Sequence, residues 1–295
     1  MTKNIEKYAA IKVKAEKKVK IGLAILLGGV VIAAIVFALA PDIALFVGIP
    51  IGFGGIIYAI IGTSEFNKLS KTFKQEVVSK LVASFVDDGV FNPNAGLSQS
   101  QVYSTEFIKR ADRFHVEDYL SGKMDDVGFV SSDVVLEERH VRHTKNGTQT
   151  YYETYFKGRV FIFDFNKPFE GYLQVLESGR PLSKRKFQKV KLESVVFNKK
   201  FKTFSTSEHS AFYVLTPHFM ESLLEFEKNN KGNISFSFID NFLHIGINNF
   251  RDTFELKMFR TLDESTFDEF KQELLVIKDV ITELKLNRSI FKKGV

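Results

Sequence analysis

Two uninterrupted apolar runs dominate the pattern of hydrophobic and polar positions. Residues 21–40 contain no charged side chain, and neither do residues 43–61. At about 1.5 Å of rise per residue, each run as a helix extends roughly 30 Å, the thickness of a bilayer's hydrocarbon core. Pro41 and Asp42 separate them, so the pattern predicts a tight transmembrane hairpin of antiparallel helices. Gly48 and Gly52 form a small-xxx-small pair, continued by Gly54 and Gly55, opposite Gly28, Gly29 and Ala33 in the first helix. Such residues let helix backbones approach where lipid supplies no hydrophobic drive. Pro50 predicts a kink in the second helix. A rival reading takes Ala38-Leu39-Ala40 as a signal-peptidase site. The run is long for a signal peptide, Pro41 would follow the cut, and a second span comes at once, all of which favour the hairpin.

Beyond residue 61 the period changes. Phe66, Leu69, Phe73, Val77, Leu81 and Phe85 recur at helical spacing, which predicts an amphipathic stalk from Glu65 to Asp87, ended by Gly89. Residues 91–97 read as a loop. Ser98 with Gln101 reads as a capping box for a helix through Lys109. From Phe114 the texture is that of strands, with a turn around residues 122–125, a strand over 134–141, and a hairpin at Asn146-Gly147 leading into 148–156. Residues 159–165 are apolar without alternation, which predicts a central strand buried on both faces. Residues 172–176 and 192–204 add strand. Thr216-Pro217 opens a helix to about Glu227. Residues 234–239 alternate strictly, as a half-buried strand does, and turn at Asp240-Asn241 into 242–247. Residues 263–286 carry Phe267, Phe270, Leu274, Ile277, Ile281 and Leu284 on one stripe of a closing helix. The expected class is therefore α+β: a transmembrane helical hairpin followed by a soluble domain with an antiparallel sheet and flanking amphipathic helices. The expected organisation is a basic segment 1–20, the hairpin 21–61, a stalk and short helix 65–110, and an α+β domain 111–295.

Charge orients this arrangement. The net charge is +6, and much of the excess precedes the first apolar run, at Lys3, Lys7, Lys12, Lys14, Lys17, Lys18 and Lys20. Lys68, Lys71, Lys74 and Lys80 follow the second, whereas the hairpin turn carries only Asp42. Positive flanks stay inside, so both termini and the soluble domain are expected in the cytoplasm, on the cell membrane. The chain has no Cys, which excludes disulfides, thiolate metal sites and a Cys nucleophile.

The search for chemistry is largely negative. No phosphate loop, dinucleotide fingerprint, nucleophile elbow or zinc-protease motif is present, so no catalytic, cofactor-binding or metal residue is assigned. His140 and His143 are offset by three in a strand, which puts them on opposite faces, beside Arg139 and Arg142, which repel a cation. His115, His209, His218 and His244 read as surface or interface histidines. Asp164 interrupts an apolar run and needs a partner such as Arg159 or a backbone donor. The basic stretch Lys184, Arg185, Lys186, Phe187, Lys189 and Lys191 reads either as a solvated surface or as a contact for anionic inner-leaflet lipid. Nucleic acid is not expected, because no stacking platform accompanies the charge.

Three segments carry a resemblance: residues 127–137 (Val-Gly-Phe-Val-Ser-Ser-Asp-Val-Val-Leu-Glu), residues 156–165 (Phe-Lys-Gly-Arg-Val-Phe-Ile-Phe-Asp-Phe), and residues 192–201 followed by 213–220. With the paired apolar runs, their order resembles the bacterial membrane-protein family known as domain of unknown function 3137. That resemblance implies two N-terminal spans, a cytoplasmic α+β domain and a membrane-protein partner, and it implies no activity. Two functional classes follow. One is a membrane-anchored module that binds a protein or lipid at the inner leaflet. The other is a tethered enzyme acting on lipid or peptide through acids such as Glu137, Glu138 or Asp164. A pocket with a His–carboxylate pair favours the enzyme, and a basic or apolar face favours the module. The sequence sets no oligomeric state.

Overall fold

The computed structural model describes residues 2–145, 147–164, 171–183, 185–284 and 286. The chain divides into two compact units, Met1–Val77 with Glu255–Glu269, and Val78–Phe254 with Phe270–Val295.

The first unit is built on two long helices, α1 (Thr2–Leu39) and α2 (Pro41–Phe73). Both are long and apolar enough to cross a membrane. The break lies one residue earlier than the sequence suggests. Ala40 leaves helical geometry (φ −152°, ψ 82°) and Pro41 already opens α2, because proline's fixed φ suits a first helical position. Close packing holds at some of the expected glycines. A Cβ at Gly48 would lie 2.3 Å from the Cβ of Ala33, and one at Gly55 would lie 2.6 Å from the Gly22 carbonyl oxygen. Gly28 and Gly54 face no neighbour within 4 Å and do not line that seam. Elsewhere the helices leave large apolar side chains uncovered, including Leu39 at 82% and Phe46 at 81% exposure, a surface that water would penalise. Nearer the N-terminus the unit closes on side chains. The ring of Phe73 meets those of Tyr8 and Phe267 edge-on, Lys12 pairs with Glu16, and Lys74 pairs with Glu255.

After α2 the chain runs through a π-helical turn (Lys74–Val78) into α3 (Ser79–Phe85). The second unit is an α+β domain, as the pattern predicts. Its strands are β1 (Asp87–Asn92), β2 (Arg113–Met124), β3 (Val127–Thr144), β4 (Gly147–Asp164), β5 (Tyr172–Leu176), β6 (Gln188–Val190), β7 (Lys202–Ser205), β8 (Asn233–Ile239) and β9 (Phe242–Asn248). They form one sheet in the order β1-β2-β3-β4-β9-β8-β5-β7-β6, antiparallel at every described pairing. Its helices are α4 (Gln99–Tyr103), α5 (Val195–Lys200), α6 (Glu208–Val214), α7 (Pro217–Asn229) and α8 (Glu264–Glu283), the last shared with the first unit.

Several elements differ from expectation for local reasons. Residues 87–92 form strand β1 rather than a helix end and loop, because they find an edge partner in β2. The Ser98–Gln101 capping box is present, but α4 stops at Tyr103. Segments read as separate strands join into two 18-residue strands, β3 and β4. Their register shifts between Leu136 and Glu137, a bulge that lets one continuous pairing pass through the polar break. Asn146 lies outside the described residues, and Thr144 pairs with Gly147 across it. Within residues 192–204, helix α5 replaces strand. The Ser194 side chain accepts from the Phe197 N–H, and the Asn198 side chain donates back to the Leu192 carbonyl. Helix α6 was not anticipated. Its start is capped by Ser207.

The centre of the sheet is buried on both faces. In β4, Phe161 and Phe163 point to one side and Val160 and Ile162 to the other, and all four are buried; Phe165 lies outside the described residues. The first face is covered by helices. Phe226 and Phe201 meet Phe236 edge-on, and Phe219 meets Phe238. β8 is also buried on both sides, since Ser235's neighbour Ser237 is as inaccessible as Phe236 and Phe238. It is therefore not the half-exposed strand its alternation suggested. The second face carries Val134, Leu136, Phe156, Val160 and Ile162, packed under Leu97, Val102 and Ile108.

On the first face, Arg159 is buried opposite Asp133. The guanidinium donates to the Asp133 carboxylate at 3.1 Å, the Asp118 carbonyl at 3.0 Å and the Ser131 hydroxyl at 3.2 Å, and also to Thr253. The Thr253 N–H in turn donates to Asp133 at 2.6 Å. Removing one member leaves an uncompensated buried charge, which costs about 3–5 kcal/mol. Asp133→Ala is thus expected to lower unfolding stability by about that amount, and the double variant Asp133→Ala/Arg159→Met to recover most of it. Urea unfolding followed by near-ultraviolet circular dichroism measures both; a loss under about 1 kcal/mol would show that the network contributes little.

Candidate functional site

The register of the sheet brings a set of polar side chains together on the second face. Paired residues share a face, so Ser121 aligns with Val130 and Lys123 with Gly128 between β2 and β3. Val130 aligns with Ile162, and Ile162 and Asp164 align with His244 and Phe242 of β9. Gln101 and Ser104, from α4 and its end, and Asp88 of β1 complete a cavity of about 520 Å³ over these strands. Its polar contributors include Asp164, Lys123, His244, Ser104 and Ser121, and its apolar side chains on this face are Val130, Ile162 and Phe242.

Asp164 is not the partner of Arg159 that the sequence suggested. Asp164 lies five positions after Arg159 along β4, an odd offset, so alternation turns it to the face away from Arg159, which Asp133 satisfies instead. The partner it takes is a backbone donor, the other one the sequence allowed. The Asp164 carboxylate lies over Gly128 and takes its backbone N–H. A Cβ at Gly128 would sit 2.3 Å from the carboxylate oxygen, so this glycine makes the room. Desolvation raises the Asp164 pKa, and the nearby Lys123 and the Gly128 N–H only partly oppose it. Lys123 itself is exposed at the rim.

His244 departs furthest from its reading as a surface residue. It is 3% exposed, because its face of β9 lies beneath the end of α4. The Ser104 hydroxyl is 3.5 Å from Nε2, and the Ser237 backbone carbonyl accepts from the ring. Desolvation pushes the pKa down to about 4, against the smaller opposing pull of the Ser237 backbone and Asp240. The polarity continues beyond the cavity. Ser237 pairs with His244 and Gln174 pairs with Ser237 across β8 and β5; both are fully buried, and neither side chain has a hydrogen-bond partner.

The basic stretch divides. Lys184 lies outside the described residues. Arg185 is tied into the fold: its Nε donates to the Glu106 carboxylate at 2.9 Å, and its guanidinium stands 3.4 Å from the centre of the Tyr172 ring. Phe187 is half-buried, while Lys186, Lys189 and Lys191 are exposed, the last two flanking Val190 on the edge strand β6. Just beyond them, Val195 and Val196 are each 67% exposed. The acids proposed for catalysis are scattered in role. Glu137 pairs with Arg113 at 3.5 Å and Glu138 with Lys109 at 2.5 Å. His140 stacks on Tyr151, and His143 lies 3.0 Å from the Thr148 hydroxyl; they do not converge.

Residues 154–286 match the family described as "Protein of unknown function (DUF3137)". This is the family that the sequence resembles, and the match takes in Asp164, Phe242, His244 and the described basic residues, but not Lys123, Gly128 or the N-terminal helices. No curated protein matches the chain. A solved structure with some likeness is that of the mycobacterial trehalose monomycolate transport factor A, TtfA. It is 7% identical with a TM-score of 0.40, over 72% of this chain and 96% of that one. A likeness so slight carries no functional weight.

The depressed pKa of His244 sets a pH dependence. The ordinary histidine pKa of the unfolded chain is about 6.5, and folding favours the neutral ring. Its contribution is complete above about pH 6.5 and is lost as pH falls toward about 4. The stability of the protein relative to His244→Leu is expected to fall as pH falls over that window. An imidazole signal for His244 that titrates near the ordinary value in NMR would contradict this.

Proposed function

We propose that the chain is a membrane-anchored binding module: α1 and α2 form a hairpin in the cell membrane, and the sheet domain works at the cytoplasmic surface, where it engages anionic lipid. The observation that carries this reading is the exposed pairing of Lys186, Lys189 and Lys191 with the uncovered Val195 and Val196. Bases near an anionic surface contribute about 1 kcal/mol each, within a screening distance of about 8–10 Å, and apolar side chains beside them gain by entering the interface. Glu193, also exposed, offsets one of those charges. Relative to the stretch read from the sequence, Arg185 is engaged by Glu106 and Tyr172, and the exposed Val195 and Val196 supply apolar side chains beside the bases where Phe187 is half-buried. Tethering keeps the local lipid concentration high, so weak contacts suffice. A membrane-protein partner at the same surface accords with the family resemblance.

The enzyme reading has one observation in its favour: Asp164 and His244 line one cavity at diagonal positions of adjacent strands. Yet no hydrogen bond joins them among the described residues. A neutral histidine with a pKa near 4 is a weak base at neutral pH. Binding is the better-supported use.

The experiment has two arms on the full chain. Asp42→Cys is expected to react with an impermeant thiol reagent added outside intact cells, and Lys189→Cys is not; the reverse pattern rejects the orientation. In lipid nanodiscs, exchange at residues 186–196 is expected to slow when phosphatidylglycerol replaces phosphatidylcholine, and Lys186→Glu/Lys189→Glu/Lys191→Glu to abolish the effect. Equal exchange in both lipids would leave the stretch a solvated surface.

A further inference from the structure

The cavity on the second face has features that the lipid-facing surface does not use. We propose that it binds an amphipathic primary amine, with the ammonium set between the Asp164 carboxylate and the His244 imidazole and the apolar tail along Ile162 and Val130. The inference stands apart from the proposed lipid contact, since the two sets of residues do not overlap.

The floor provides the geometry. Asp164 aligns with Phe242, and Ile162 with His244. Asp164 and His244 are thus diagonal neighbours, whose separation across a sheet is about 7–8 Å. An ammonium between them reaches both at ordinary hydrogen-bond lengths of about 2.8–3.0 Å. Gly128 serves this arrangement, because any side chain there would expel the carboxylate.

The chemistry selects a donor. The groups facing the cavity include two carboxylates, Asp88 and Asp164, against one ammonium, Lys123, and a histidine held neutral. A neutral imidazole offers one nitrogen as an acceptor in either tautomer; with the Ser237 backbone carbonyl accepting from one ring nitrogen of His244, the other is left as an acceptor. A carboxylate with an imperfectly compensated charge and an acceptor nitrogen together call for a cation that brings several N–H donors. Lys123 acts on Asp164 from nearby but does not fill this role: both side chains are exposed, and no ion pair joins them among the described residues. An anion would instead meet Asp164 and Asp88 at close range. Beside the head group, Ile162 and, one strand further, Val130 offer a short apolar track, suited to an alkyl or aryl tail of modest length. A membrane aminophospholipid and a soluble amine share this chemistry.

The test uses the full chain in phosphatidylcholine nanodiscs, with ring-labelled histidine observed by NMR and three probes of one shape: hexylamine, hexanol and hexanoate. Hexylamine is expected to shift the His244 ring signals saturably, with hexanol and hexanoate at least about tenfold weaker, as loss of a charge-assisted hydrogen bond implies. Asp164→Asn is expected to weaken hexylamine by at least about tenfold. Gly128→Ala, which displaces the carboxylate without touching its charge, is expected to do the same while circular dichroism stays unchanged. Substituting phosphatidylethanolamine for phosphatidylcholine distinguishes the sources: competition with hexylamine assigns the site to a lipid head group, and undiminished hexylamine binding assigns it to a soluble amine. Hexanoate binding as well as hexylamine, unchanged hexylamine binding in Asp164→Asn, or no saturable shift at His244 would overturn the proposal. None of these outcomes depends on exchange at residues 186–196, so the two readings fail separately.

Discussion

The two-sided burial of residues 158–163 of β4 is the constraint on which the sheet domain depends. A strand with Phe161 and Phe163 on one face and Val160 and Ile162 on the other has no side to give to water. Everything around it follows from the need to cover both. β3 and β9 flank it with apolar side chains of their own, and the sheet extends outward until the strands become short and polar, as at β6 with Lys189 and Gln188 exposed. Where a charge falls inside its buried stretch, at Arg159, it is held by Asp133, Thr253, Ser131 and a backbone carbonyl, because burial without such partners is prohibitive.

The two covers are unequal. The first face is packed by phenylalanines from α7 and the end of α5 against Phe236 and Phe238, in an aromatic layer. The second face is covered by the short α4 and its flanking loops. This thinner cover seals Val160 and Leu136 completely, but toward Asp164 and Phe242 it leaves the cavity. The open space thus sits where coverage by secondary structure runs short, next to the strands that carry Asp164 and His244.

The elements legible in the sequence were those with long, single-period patterns: the two apolar helices, the buried central strand, the Thr216-Pro217 helix and the closing helix. The misreadings share a cause, the override of local signals by tertiary pairing. Residues 87–92 look like a loop until β2 offers an edge. Residues 195–200 look like strand until Ser194 and Asn198 satisfy the turn. The cavity was barely visible beforehand. Asp164 stood out as a charge in an apolar run, but its partner could not be chosen without the register, and nothing in the residues near His244 marks it as buried. The pairing of Ile162 with His244 and of Val130 with Ile162 links positions more than 30 residues apart, and no local pattern encodes that distance.

The account rests on β4 being the best-protected part of the soluble unit, and native-state amide exchange of the full chain measures this directly. The amides of Val160, Phe161, Ile162 and Phe163, with those of Phe236 and Ile245 on neighbouring strands, are predicted to exchange most slowly and only through global unfolding. Protection at these amides no greater than at the exposed hairpin residues 141–144 would contradict a fold organised around a strand buried on both faces.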